Sequence, residues 1–281
     1  MQRQLMDELI AWKSRANRKP LLLKGARQTG KTWLLNEFAG QQYQNVIRFD
    51  FMLEPGARSL FDGSLDPKRI ISQIELLRGQ TITPTDTLII FDEIQEAPRG
   101  ITSLKYFNEL APEYHIVAAG SYMGLALRRE NESFPVGKID QLTMRPMGFV
   151  EFVRAVDGDP LADAILAADM DLLANVSEKL ERLLKEYLVV GGMPEVVSAF
   201  AASHDFIEAR RLQQQLPEED DQYAGVLPWS KSSCATYCSV SEPLNSVKTA
   251  GPFRTMAGER PESAPRMPVS MQNSLKPERS S

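Results

Sequence analysis

The sequence predicts an α/β fold: a parallel sheet flanked by helices, followed by a smaller helical region and a disordered tail. Three observations carry this reading. Short, wholly apolar runs such as Leu88-Ile89-Ile90-Phe91 and Ile116-Val117-Ala118-Ala119 mark strands buried on both faces. They alternate with segments of helical periodicity, the pattern of a parallel sheet with crossover helices. Between a first strand and a first crossover helix lies Gly25-Ala26-Arg27-Gln28-Thr29-Gly30-Lys31-Thr32, which fits the phosphate-binding pattern G-x-x-x-x-G-K-[ST] in full.

Taken in order, Leu5, Leu9, Ile10 and Trp12 give residues 3–16 an apolar helical face. Pro20 to Lys24 reads as a buried strand, and Trp33 to Phe38 as a helix stopping at Gly40. Val46 to Phe51 is a second strand. Asp66-Pro67 has the form of an N-cap followed by proline at the first helical position, and Gly79 closes that helix. Leu88 to Phe91 is the third strand, Tyr106, Phe107 and Leu110 belong to a helix, Ile116 to Ala119 is the fourth strand, and Lys138 to Thr143 the fifth. Strand signals then fade. Residues 149–156, 160–170 and 176–190 are periodic at helical spacing, Gly191-Gly192-Met193-Pro194 interrupts, and two more helices run to about residue 215. Division is therefore expected at 1–147, 148–216 and 217–281. The last segment is rich in proline and serine, lacks apolar periodicity and is expected to be disordered; its composition resembles an out-of-frame reading.

The chemistry follows from the loop. Glycines at 25 and 30 let successive N–H groups face one cavity, and the following helix aims its positive dipole end at the same place. Gly25, Ala26, Arg27, Gln28, Thr29, Gly30, Lys31, Thr32 and Trp33 are the expected nucleotide-binding residues, with Lys31 as a point charge on the β- and γ-phosphates and Thr32 a ligand for Mg²⁺. The apolar strand at 88–91 runs into Asp92-Glu93, the second half of a nucleoside-triphosphatase site. Asp92 would hold Mg²⁺ and Glu93 would deprotonate the attacking water. Ser121, ending the next strand, would sit beside Asp92 near the γ-phosphate. Arg128, Arg129 and Lys138 are the downstream cations available to the transferring phosphoryl group. Trp12 is a candidate border for the base, with helix packing as the alternative. His115 and His204 have no metal partner at useful spacing and read as structural.

Composition narrows the setting. The chain has 281 residues, 43% hydrophobic and 25% charged, as in ordinary globular proteins. A net charge of −5 does not argue for nucleic acid, although a local basic face stays open. No apolar run of about 18 residues predicts a membrane span. Met1 to Glu8 lacks the apolar core of a secretory signal, and Cys234 and Cys238 form neither a disulfide framework nor a metal set, which together favour the cytoplasm.

These motifs, with Leu88 to Gln95, Ala119-Gly120-Ser121, Arg145 to Phe152 and Tyr187 to Glu195, resemble a group of prokaryotic AAA-type (AAA+) P-loop ATPases over residues 1–216. The resemblance implies ATP as ligand, Mg²⁺-dependent hydrolysis, a helical or winged-helix region after the core, sites that often form between subunits, and an unknown macromolecular partner. It also implies a C-terminal module of unknown function that 217–281 does not match, so truncation is expected. Where relatives carry Gly-Arg, this chain has Gly137-Lys138, and lysine lacks arginine's planar fork. A P-loop phosphotransferase and a nucleotide-binding interaction protein without turnover are the alternatives to an ATPase acting as a conformational switch.

Overall fold

The computed structural model describes residues 3–121, 135 and 137–216, all within one compact unit. Its centre is a five-stranded sheet built from β1 (Leu21–Gly25), β2 (Asn45–Asp50), β3 (Thr87–Asp92), β4 (His115–Gly120) and β5 (Asp140–Met144). The order is β2-β3-β4-β1-β5, and every pairing is parallel. All residues of β3 and β4 are buried, as their unbroken apolar runs require of strands covered on both faces.

Helices cover the two faces. One layer holds α1 (Leu5–Ser14) and α2 (Lys31–Gln42), which pack Leu9, Trp12, Leu34, Leu35 and Phe38 onto Leu21, Leu23, Ile90 and Val117. The other holds α3 (Pro67–Arg78) and α4 (Pro98–Leu110), which bury Ile70, Ile74, Leu104 and Phe107 on Ile47, Phe49, Phe91 and Ile116. The cap of α3 is the one its sequence specifies: the Asp66 carboxylate accepts from the Lys68 N–H, Pro67 begins the helix, and Gly79 ends it in the left-handed conformation at φ 62°. Helix α2 does not stop at Gly40. It runs to Gln42, because Tyr43 beyond it is pulled into the core and ends the helix by turning extended.

Residues 148–216 are helical throughout: α5 (Phe149–Val156), α6 (Asp159–Leu166), α7 (Met170–Asn175), α8 (Ser177–Val190), α9 (Pro194–Ser203) and α10 (Phe206–Gln215). The segment expected as one helix over 160–170 is two, because Ala168 takes a positive φ of 52° and Asp169 caps α7 through the Leu172 N–H. The expected disorder of 217–281 and the cations Arg128 and Arg129 lie outside the described residues.

The parallel sheet fixes which residues share an edge. Phosphate loop, Asp92 and Ser121 follow the carboxyl ends of β1, β3 and β4. Lys138 precedes β5 and therefore lies at the opposite, amino edge, where it pairs with Glu109 at 3.0 Å. On that edge it is set apart from the phosphate loop of its own chain. Trp12 is likewise no border to a base: it is buried, meets Phe38 and His115, and donates its indole N–H to the Lys19 carbonyl.

His115 begins β4 in this same cluster, 2.7 Å from the Tyr43 hydroxyl. Burial first, then the positive charges of Arg18 and Lys13, brings its pKa from 6.5 down to about 4, while burial pushes the Tyr43 phenol up. Both rings are thus neutral and share one hydrogen bond between the Tyr43 hydroxyl and His115 Nδ1. The unfolded chain protonates His115 near pH 6.5 and the folded chain only near 4, so its contribution is complete above pH 6.5 and is lost as pH falls through that window. His115→Gln should flatten the fall in Tm between pH 6.5 and 4 relative to the parent; thermal unfolding across that range checks this, and parallel curves would refute it.

Candidate functional site

The chain leaves β1 at the middle of the sheet, forms the glycine loop, and enters α2 through Gly30 at φ 89°, a conformation open to glycine and closed to most residues. Gly25 serves differently from the expectation. It has no positive φ; a Cβ there would lie 2.4 Å from the Met144 carbonyl oxygen, so the absence of a side chain lets β5 close on the loop. Gln28, at the tip, takes the left-handed φ of 60°.

The loop is tied from within. Lys31 is buried, and its ammonium donates to the carbonyls of Gly25 at 2.9 Å and Ala26 at 2.7 Å and to the Ser121 hydroxyl at 3.0 Å. Thr29, fully buried, donates its hydroxyl to the Ala26 carbonyl at 2.8 Å. Arg27 and Gln28 are exposed at the tip, and Trp33 is exposed on the first turn of α2.

Asp92 reaches the loop helix across the end of β4. Its Oδ2 accepts from the Thr32 hydroxyl at 3.2 Å and pairs with Arg48 of β2, while Oδ1 accepts from the Glu93 N–H at 3.0 Å. Glu93 follows at φ 50°, the left-handed turn that ends β3 and starts a short 3-10 turn. Its carboxylate accepts from the side-chain amide of Gln95, whose own Oε1 is buried without a hydrogen-bond partner. The structure therefore brings Lys31, Thr32, Asp92 and Ser121 to one edge, with Glu93 next to Asp92 in sequence.

Three neighbours of this edge escaped the sequence reading. Arg48 carries no motif, and Gln95 closes the 88–95 segment without a role of its own there. Arg3, in a segment read only as the start of a helix, is almost wholly buried beside the loop. Its guanidinium donates to Glu151 at 2.9 Å, to the Thr29 carbonyl at 2.8 Å and to the Arg145 carbonyl at 2.6 Å. Glu151, in the first turn of α5, also accepts from the backbone N–H groups of Gln4 and Gly148, each at 2.9 Å. The Gly-Gly-Met-Pro turn closes this corner. Gly192 accepts from the Met147 N–H at 2.6 Å, a Cβ on it would meet the Met147 oxygen at 2.2 Å, and Tyr187 donates to that same oxygen at 3.0 Å. Pro194 lies 3.8 Å from the position a Cβ on Gly30 would take. The helical region thus meets the phosphate loop directly.

Thr32 and Asp92 offer a hydroxyl and a carboxylate, hard oxygen donors that suit Mg²⁺. Among the described residues no group of three or more His, Cys, Asp or Glu could hold a metal ion.

Residues 17–153 match the family model described as AAA domain. This segment is an AAA-type P-loop domain. As such it is a nucleotide-binding fold, and β1 to β5 with their loop are its core. No curated protein matches the chain. Solved structures similar to it include the Walker-type ATPase PABY2304 of Pyrococcus abyssi, at 16% identity and TM-score 0.43 over 77% of this chain and 72% of that one. C. elegans PCH-2 is similar at 14% identity and TM-score 0.42, over 75% and 68%. Drosophila ORC bound to DNA is similar at 16% and 0.39, over 74% and 59%. No helix among the described residues is long and apolar enough to cross a membrane.

Removing one partner of a buried ion pair strands the other charge. Arg3→Ala leaves Glu151 with two backbone donors and frees the Thr29 and Arg145 carbonyls, so it should destabilise the fold by about 2–3 kcal/mol. The double variant Arg3→Met/Glu151→Leu should lose less than the two single changes summed. Urea unfolding of the four proteins measures both; strictly additive losses would show that the pair is not coupled.

Proposed function

We propose that this chain hydrolyses ATP with Mg²⁺ and uses the cycle as a conformational switch. The observation that carries the reading is the 3.2 Å contact between the Thr32 hydroxyl and Asp92 Oδ2, which sets the strand carboxylate against the phosphate loop's own helix. That contact suits a Mg²⁺–nucleotide, and Glu93, next to Asp92 in sequence, adds the base that hydrolysis requires.

Each residue then has a task. The N–H groups of the loop and of the first turn of α2 receive the phosphate oxygens. Lys31 exchanges the Gly25 and Ala26 carbonyls for phosphate, a charge-assisted contact in place of neutral ones. Ser121, already bonded to Lys31, fixes where the ammonium rests. Thr32 and Asp92 would hold Mg²⁺, which when bound supplies neutralisation of the phosphate charge. Glu93 takes the proton of the attacking water. Gln95 orients that carboxylate through its amide, and its unpartnered Oε1 is an acceptor beside it, suited to holding the same water. Arg3 carries the result outward, since a shift of the Thr29 carbonyl moves a guanidinium that also holds Glu151 of α5.

ATP as the nucleotide follows the AAA character of the segment, and a cytoplasmic setting is part of the same reading. Assembly with further subunits and an unknown macromolecular partner stay part of the same reading. Inorganic phosphate release from ATP, with no acceptor added, tests it. The parent should turn over, and Glu93→Gln should fall by about 100-fold, the usual scale for loss of a general base, while still binding nucleotide. Equal rates would remove Glu93 from the chemistry, and no release from either protein would refute hydrolysis.

A further inference from the structure

Asp92 is buried at 2% exposure, and a buried carboxylate must be compensated. Its two oxygens are used differently. Oδ1 takes the Glu93 N–H, whereas Oδ2, the oxygen facing Thr32, takes both the Thr32 hydroxyl and the guanidinium of Arg48. The cation compensating Asp92 is therefore an arginine bonded to the same oxygen that Thr32 marks as the metal-facing one.

We propose that Arg48 is a cation-exchange residue, neutralising Asp92 in the metal-free protein and giving up that oxygen when Mg²⁺ arrives with the nucleotide. This rests on the Mg²⁺–nucleotide reading of the site. Two cations cannot share Oδ2 without strong repulsion at a few ångströms in a poorly hydrated place. The arginine has somewhere to go. Its side chain is 30% exposed, and Nη1 already lies 3.3 Å from Oδ1 of Asn36, one turn beyond Thr32 on α2. The strand beneath it stays put: Arg78, at the end of α3, donates to the Arg48 carbonyl at 2.7 Å and lies over the Phe49 ring at 4.0 Å. The exchange is thus a side-chain movement on a fixed backbone. It makes Arg48 a positioning residue that sets how much divalent metal the site requires.

The test is Mn²⁺ uptake, followed by electron paramagnetic resonance, by the full chain with AMP-PNP. Arg48→Gln should lower the Mn²⁺ concentration at half-saturation about fivefold, the scale of a partly exposed ion pair. Arg48→Lys, which keeps charge but loses the fork, should fall between and serves as the measured variant if Arg48→Gln does not fold. Affinity for AMP-PNP in EDTA should not rise in either. Unchanged or weaker Mn²⁺ uptake in the folded variants, with normal uptake by the parent, overturns the exchange alone. If the parent takes up no Mn²⁺ with AMP-PNP, the metal–nucleotide reading fails and the exchange with it.

Discussion

The buried pair of Arg3 and Glu151 is the interaction on which the arrangement of the site depends. One guanidinium, at 5% exposure, holds the carbonyl of the phosphate loop, the carbonyl of the segment leaving β5 and the carboxylate that opens the helical region. Its five donors in a rigid fork can make these bonds together; a lysine could not. Glu151 answers with both oxygens, so few polar groups at this corner lack a partner. Helix packing alone would leave the helical region free to slide on the sheet domain. A buried charge pair does not slide without being stranded, and this converts a soft contact into a fixed register.

The same logic runs along the rest of the edge. Lys31 and Asp92 are each buried, and each is compensated within the chain: two carbonyls and a hydroxyl for the lysine, an arginine for the aspartate. Under the proposed function the two carbonyls stand in for phosphate and the arginine for the metal, while the hydroxyl keeps its place. Opposite, at the amino edge, the polar groups pair with one another, as in Tyr43–His115 and Lys138–Glu109, and face no ligand-binding loop. The parallel sheet creates this asymmetry, because every loop after a strand lies on one side.

Much of this was legible in the sequence where local physics decides. Unbroken apolar runs gave the buried strands, the Asp66-Pro67 and Gly79 signals gave both ends of α3, and the glycine pattern gave the loop. What was not legible depends on partners far apart in the chain. Arg3 and Glu151 are separated by 148 positions, and Arg48 and Asp92 by 44; neither arginine stands out from solvated neighbours by type or spacing. Lys138 and Trp12 were misplaced as site candidates because strand direction and helix facing, not sequence proximity, decide which edge a residue joins. The passage of α2 through Gly40 shows the same priority, since burial of Phe38 and Tyr43 outweighs the helix cost of one glycine, about 1 kcal/mol.

At the centre of this account is the proposal that Lys31 of the phosphate loop exchanges protein oxygens for those of a nucleotide. Equilibrium titration with a fluorescent ATP analogue tests that most directly, on the parent and on Lys31→Ala. Saturable binding by the parent, weakened at least about tenfold in the variant, is the predicted result, the scale of a lost charge-assisted hydrogen bond. Equal affinity of the two proteins would contradict it.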